Sequence, residues 1–254
     1  MRFMLLCAAI LVLGSGLACA SDLPSERPAD FRAELHSDGG MLPRSHSFEV
    51  QADGVATFTL NWSGETYTLT RTLSAQDLDA LYEAFRANRF DQIEVNEERE
   101  VYDRGGVSLV IWANGERYRV SDSGNSFVEE AWDDEFNAAL AAMSAQIRPI
   151  WQEGGIPITV QFDPSQVGRP VAIKVHGFVV FEGNVPESAE VTLHLPEAPC
   201  PMHLNFGDVD QSVDPTGFGG TTFTATPGLR LLVIPAPPGH SLTIRDASQE
   251  SEGE

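Results

Sequence analysis

Apolar residues alternate with polar ones in short runs along most of this chain, and a period of two is the strand period. Phe48 and Val50 alternate with polar neighbours; Ala56, Phe58, Leu60 and Trp62 do the same with Thr57, Thr59 and Asn61 between them. Asp53-Gly54 separates the two runs, which predicts a hairpin. Residues 67–73 continue as a strand after a Ser63-Gly64 turn, and residues 107–112 and 117–120 make another hairpin around Asn114-Gly115. Two stretches carry helical spacing instead. Ser74 with Asp77 three residues on has the form of a capping box, and Leu78, Leu81, Tyr82 and Phe85 then fall on one helix face, with Phe90 and Ile93 following. A second helix is predicted from Ser126, with Glu129 as its box partner. Val128, Ala131, Trp132, Phe136, Leu140, Met143 and Ile147 supply its apolar face, and Pro149 ends it. Residues 31–152 are thus expected to form an α+β N-terminal domain, an antiparallel sheet with two helices on one face.

Past this point the helical period disappears. Short strands separated by Pro/Gly turns are predicted at 158–162, 171–175, 178–181, 191–195, 202–206, 221–224, 229–234 and 242–244. That spacing predicts an all-β immunoglobulin-like sandwich over residues 156–246. Residues 247–254 form an acidic, apolar-poor tail.

The order of parts in the first domain resembles a family of small secreted bacterial domains of unknown function. Those domains share a DGxxxF hairpin, a helix of the Leu-x-x-Leu-x-x-x-Phe kind and a hairpin around NGxxxxV. The matching stretches here are Asp53-Gly54-Val55-Ala56-Thr57-Phe58, residues 78–90 and residues 103–120. The same part is also similar to the emfourin-type inhibitors of metalloproteases, which carry an early Ser-Gly-Gly-Phe turn. Ser37-Asp38-Gly39-Gly40-Met41 is the related stretch, with one insertion and Met in place of Phe. The second resemblance implies a secreted protease inhibitor.

The start of the chain has the three-part layout of an export signal over residues 1–20: Arg2, an apolar run through Leu13, then small residues up to Ala20. The run is shorter than the roughly 20 residues a membrane-spanning helix needs. Two processing routes are open. Ala18-Cys19-Ala20 is an A-x-A site that would release a soluble periplasmic or secreted protein beginning at Ser21. Gly16-Leu17-Ala18-Cys19 resembles a lipoprotein box, which implies lipidation of Cys19 and attachment to the inner or outer membrane. Residues 21–30, with Pro24 and Pro28, read as a short tether.

With 37 Asp and Glu against 16 Lys and Arg, the net charge is −21, which argues against nucleic acid or anionic lipid headgroups as partners. Any contact with a membrane would then run through lipid on Cys19. If Cys19 is lipidated or removed, Cys200 has no disulfide partner and the core must supply the stability.

Three groups of residues carry candidate chemistry. Extending the alternation of Val171, Ile173 and Val175 places Lys174 and His176 on the outward face; His194 and His203 sit outward on their own strands, and the three histidines could converge on a metal. Asp208, Asp210 and Asp214 share one loop and suit a hard cation, although Ser212, Val213 and Gly219 depart from a calcium-loop pattern. Glu97-Glu98-Glu100 and Glu129-Glu130-Asp133-Asp134 read as a charged loop and a helix start. No nucleophile elbow, phosphate loop, zinc-protease helix or dinucleotide fingerprint occurs, and no cofactor is implied. The expected function is that of an exported, non-catalytic binding or scaffold protein whose partner is a protein or glycan of the cell envelope. A metalloprotease inhibitor and a hydrolytic enzyme are the alternatives.

Overall fold

The computed structural model describes residues 21–39, 44–97, 101, 104–176, 178–206, 223–234 and 243–247. Among the described residues the first unit contains β1 (Arg32–Asp38), β2 (Arg44–Val50), β3 (Val55–Trp62), β4 (Glu65–Thr72), α1 (Ala75–Ala87), β5 (Val95–Asn96), β6 (Gly106–Ala113), β7 (Glu116–Asp122), β8 (Phe127–Val128), α2 (Asp133–Ala145) and α3 (Ile147–Gly154). Six strands form one antiparallel sheet in the order β4-β3-β2-β1-β6-β7. The turns follow from the residues that favour positive φ. Gly54 (φ 88°), Ser63-Gly64 (50°, 90°) and Asn114-Gly115 (56°, 82°) close three hairpins. Asp30 braces the last of these, its carboxylate accepting from the backbone N–H of Asn114 at 2.9 Å and of Gly115 at 2.6 Å. Those two bonds hold the Asp30 carboxyl below its ordinary range.

The sheet alternates along β1 and β3, while in β6 Val110 is buried between Leu109 and Ile111. Ala33, Leu35, Phe48, Val50, Ala56, Phe58, Leu60, Leu109 and Ile111 are buried on one face and join Leu78, Leu81, Tyr82 and Phe85 of α1 and Phe136, Ala139 and Met143 of α2 in a single core. Helix α1 begins as the sequence predicts: Ser74 accepts from the N–H of Asp77, and Asp77 returns a carboxylate oxygen to the N–H of Ser74.

The second helix departs from expectation. Ser126 bridges to Ser123 and residues 127–128 form β8, so α2 starts only at Asp133, after a short 3₁₀ turn at Glu130–Trp132. Pro149 does not end a helix. The break falls at Gln146, and Pro149 sits in the first turn of α3, where a missing N–H costs nothing. Residues 21–30 are not a free tether either. Leu23 is 4% exposed, the Tyr82 hydroxyl donates to the Pro24 carbonyl, Ser21 and Asp22 donate to Asp91, and Arg27 pairs with Asp79.

The second unit contains β9 (Ile156–Phe162), β10 (Pro170–Val175), β11 (Phe178–Asn184), β12 (Glu190–Leu195), β13 (Pro199–Cys200), β14 (Met202–Phe206), β15 (Phe223–Thr224), β16 (Arg230–Ile234) and β17 (Thr243–Asp246). They make sheets in the orders β11-β10-β14 and β12-β9-β16-β17, with β13 and β15 paired separately. Pairing is antiparallel except between β9 and β16. Phe162 of one sheet meets Phe206 of the other edge-to-face at 6.2 Å, so their inner faces share a core. Overall the chain is mostly antiparallel sheet with helices, an α+β fold.

Only Gly155 separates α3 from β9. A Cβ there would lie 2.5 Å from the Trp151 carbonyl oxygen and 2.8 Å from the Leu195 amide nitrogen, both backbone atoms. Gly155→Ala is therefore expected to lower stability by about 1–3 kcal/mol, read as a lower urea midpoint, because the helix end must pull away from β12. A midpoint equal to that of the parent would show that the gap opens freely.

Candidate functional site

The face of the six-stranded sheet opposite the helices is polar. Register sets its composition: Thr57 pairs with Thr70, Thr59 with Thr68, Ser47 with Thr59 and His36, and Ser108 with His36 and Ser121. Toward β7 this face sinks into a cleft of about 590 Å³. His36 and Asp38 come from β1, Gly106 and Ser108 from β6, Arg119 and Ser121 from β7, while Glu97 and the Ser123–Asn125–Ser126 turn form the far wall.

The cleft floor is held by hydrogen bonds. Arg119 Nε donates to Ser108 Oγ at 3.3 Å and to Ser121 Oγ at 3.2 Å, and the Ser121 hydroxyl donates to Ser108 at 3.0 Å. In the turn, the Ser123 hydroxyl donates to Asn125 Oδ1 at 3.0 Å. Arg104 anchors the turn from outside, through Asp122 at 2.7 Å and over the Phe127 ring. Gly106 permits the close approach of this turn, since a Cβ there would lie 2.7 Å from Ser123 Cβ. Nearby on the same face, burial and the neighbouring Glu49 raise the Glu34 carboxyl above its ordinary range. The lining therefore offers donors and acceptors in quantity, one fixed cation and carboxylates. It suits a polyhydroxylated ligand. The Ser108 and Ser121 hydroxyls lean on a guanidinium, which cannot take a proton.

The three histidines that could converge on a metal are distributed over both sheets of the second unit. His176 is not on an outward face: β10 ends at Val175, His176 turns with φ 52°, and its side chain is buried at 8% exposure between the two units. Burial is the main cause that pushes its imidazole down to about 3, with His46 and Arg44 adding to it. His194 is half-buried on β12 opposite Pro157, and His203 lies on β14 opposite Lys174, so these two belong to different sheets. The side chain of His203, the loop carrying Asp208, Asp210 and Asp214, and Cys19 lie outside the described residues. Among the described residues no group of three His, Cys, Asp or Glu is arranged to hold a metal ion. Of the Ser37–Met41 stretch, Gly39 donates to the Arg44 carbonyl at 3.0 Å at the open end of the β1–β2 pair, and Gly40 and Met41 lie outside the described residues. Cys200 is fully buried, and burial pushes its thiol up to about 12, far from a reactive thiolate.

One residue missed in the sequence is His46. It lies on the inward face of β2, two residues before Phe48, and burial pushes it down to about 4, with His36 and Arg44 next. Extending the Phe48–Val50 alternation by one step identifies it. The cleft had no such signal, because it depends on β1 pairing with β6 across some seventy residues of chain. Neither a family model nor a curated protein matches this sequence.

Proposed function

We propose that this chain is an exported, non-catalytic binding protein of the bacterial envelope or surface, and that the cleft beside β7 takes a glycan of that envelope. The observation that carries this reading is Arg119 fixed between two serine hydroxyls in a cleft also lined by His36, Asp38, Glu97, Ser123 and Asn125, with Val95 and Val107 as its apolar part. Sugar hydroxyls both donate and accept, and such a lining answers both. The hydroxyl-bearing rows at Ser47, Thr57, Thr59, Thr68 and Thr70 extend the polar face beyond the cleft, which suits a polymer better than a single sugar. The strong negative charge argues against phosphate-rich polyanions such as nucleic acid.

The apolar leader with its small residues and Cys19 supports export, as does the resemblance to secreted bacterial domains. No helix among the described residues is long and apolar enough to cross a membrane. Lipid on Cys19 would leave Ala20 alone between the anchor and the packed Ser21–Asp91 contact, holding the first unit against the bilayer. The immunoglobulin-like reading of the second unit is supported by its two sheets with a shared core. Its first strand, β9, lies between β12 and β16, an order that immunoglobulin sandwiches do not use.

Co-sedimentation with purified peptidoglycan sacculi tests the glycan reading. The parent chain is expected to pellet with sacculi at 150 mM salt. Arg119→Ala combined with Ser121→Ala is expected to weaken binding about tenfold, equivalent to about 1.4 kcal/mol. Equal pelleting of parent and variant would remove the cleft from the reading.

A further inference from the structure

A second cavity of about 650 Å³ opens where the two units meet. Its walls come from three places: Leu35 and His46 on the inward sheet face, Leu140 and Trp151 on the helices, and His176 and Phe178 on the β10–β11 hairpin. Its size is in the range that encloses a drug-sized molecule. The rings are packed at right angles. His46 meets Phe178 at 4.8 Å, Trp151 meets Phe58 at 5.4 Å and Phe178 at 5.7 Å, and His176 meets Trp62 at 5.6 Å.

Three features converge here. Trp151 Nε1 and both ring nitrogens of His176 are buried with no hydrogen bond of ordinary geometry among the described residues, although the Pro199 backbone lies close enough to the imidazole to favour its protonated form. A buried polar group left unpaired is costly, and native folds pair the large majority of them. His176 also has its backbone in the left-handed region, a conformation that most side chains avoid. Finally, the register of β10 against β11 shifts between Ile173 and Lys174, a bulge that re-aims Val179 and Val180 along the cavity wall. Strain, a bulge and unpaired polar atoms in one apolar cavity are more than packing requires.

We propose that this cavity is a binding site for a small, uncharged amphipathic molecule, with its apolar body among Leu35, Leu140 and Phe178 and a hydroxyl or carbonyl head against His176 and Trp151. The chemistry follows from the wall. A neutral imidazole carries one donor and one acceptor, and the indole adds a donor. Burial keeps both His176 and His46 neutral, so no buried cation is offered to a carboxylate. Arg148 and Glu182 stand at the wall as exposed residues of opposite sign. The cavity borders the glycan cleft at Val107, and the proposal does not depend on that cleft.

Titration calorimetry at pH 7.5 with 1-naphthol, naphthalene and 1-naphthoate on the folded chain tests the proposal. The naphthol is expected to bind saturably, at least tenfold tighter than the hydrocarbon or the carboxylate. Ala141→Trp, at an exposed position on the cavity wall, is expected to abolish that binding while leaving the fold intact by circular dichroism. His176→Leu is expected to erase the preference for naphthol over naphthalene. Absence of saturable naphthol binding, equal binding of naphthol and naphthalene to the parent chain, or undiminished binding in a folded Ala141→Trp variant would each overturn it.

Discussion

Acidification from pH 7 to pH 5 is expected to lower the stability of this protein by about 2–4 kcal/mol, most of it through two histidines. His46 and His176 are held at about 4 and about 3 because burial penalises their charged forms. In the unfolded chain both titrate near the ordinary value of 6.5. Above that value neither state binds the proton and the pair contributes no pH dependence. Below it the unfolded chain takes up two protons that the folded chain refuses, so each pH unit costs about 1.4 kcal/mol per histidine until the folded values are reached. The carboxylates act in a different window. Asp77 and Glu83 are lowered, Asp77 by its bonds from Ser74 and Glu83 by its bonds from Arg86, so their contribution is present above their ordinary values of 3.8 and 4.5 and is lost only below them. Glu34, raised mainly by burial, works in the opposite sense: it adds stability as pH falls. Arg44 opposes protonation of both rings, His36 adds to this at His46, and His46 adds to it at His176. Urea midpoints measured at pH 7.5 and 5.0 give the parent slope, and His46→Phe with His176→Leu is expected to flatten it. A parent midpoint that does not move between these two values would sink the account.

Much of the first unit can be read in the residues because its signals are local. Asp53-Gly54, Ser63-Gly64 and Asn114-Gly115 reverse the chain by their own φ preferences, and Ser74 with Asp77 starts a helix within four residues. What escaped notice was set by distant partners. Arg32–Asp38 lies inside the sheet between β2 and β6, yet only Ala33 and Leu35 are apolar in it, and Ser37 at the next inward position cuts the alternation short. The strand is identified by its two neighbours rather than by its own composition. Pro149 misled because proline stops helices in their middles but suits their first turns, and nothing near Gln146 marks the break. His176 misled for a similar reason. The period of two was carried one residue past the end of β10, and at that residue the chain turns inward. The polar cleft and the apolar cavity both draw walls from segments far apart in sequence, so neither was visible before the pairing was known.

Trp151→Ala is expected to destabilise the protein by about 3–5 kcal/mol and to split its unfolding into two steps. Trp151 is 1% exposed near the end of α3, the helix that touches β4 of the first unit and β11 and β12 of the second. Its ring meets Phe58 from the first unit and Phe178 from the second, so one side chain fills the seam from both sides. Truncation adds a void to the existing cavity and leaves Phe58, Phe178 and His176 without their shared neighbour. The only salt bridge near α3 that ties it back to the sheet is Arg71–Glu153 at 3.0 Å among the described residues, and an exposed pair of that kind adds at most about 1 kcal/mol. It does not replace the lost packing. Trp151→Phe distinguishes volume from hydrogen bonding: it keeps a ring in the seam and removes the unpaired Nε1 donor, so its cost is expected to be well under half that of the alanine. Calorimetric unfolding at pH 7.5 reads both effects. A single transition in Trp151→Ala with the parent's cooperativity would mean that the units are held together elsewhere, through the direct α3 contacts with β4 and β12 rather than through the ring.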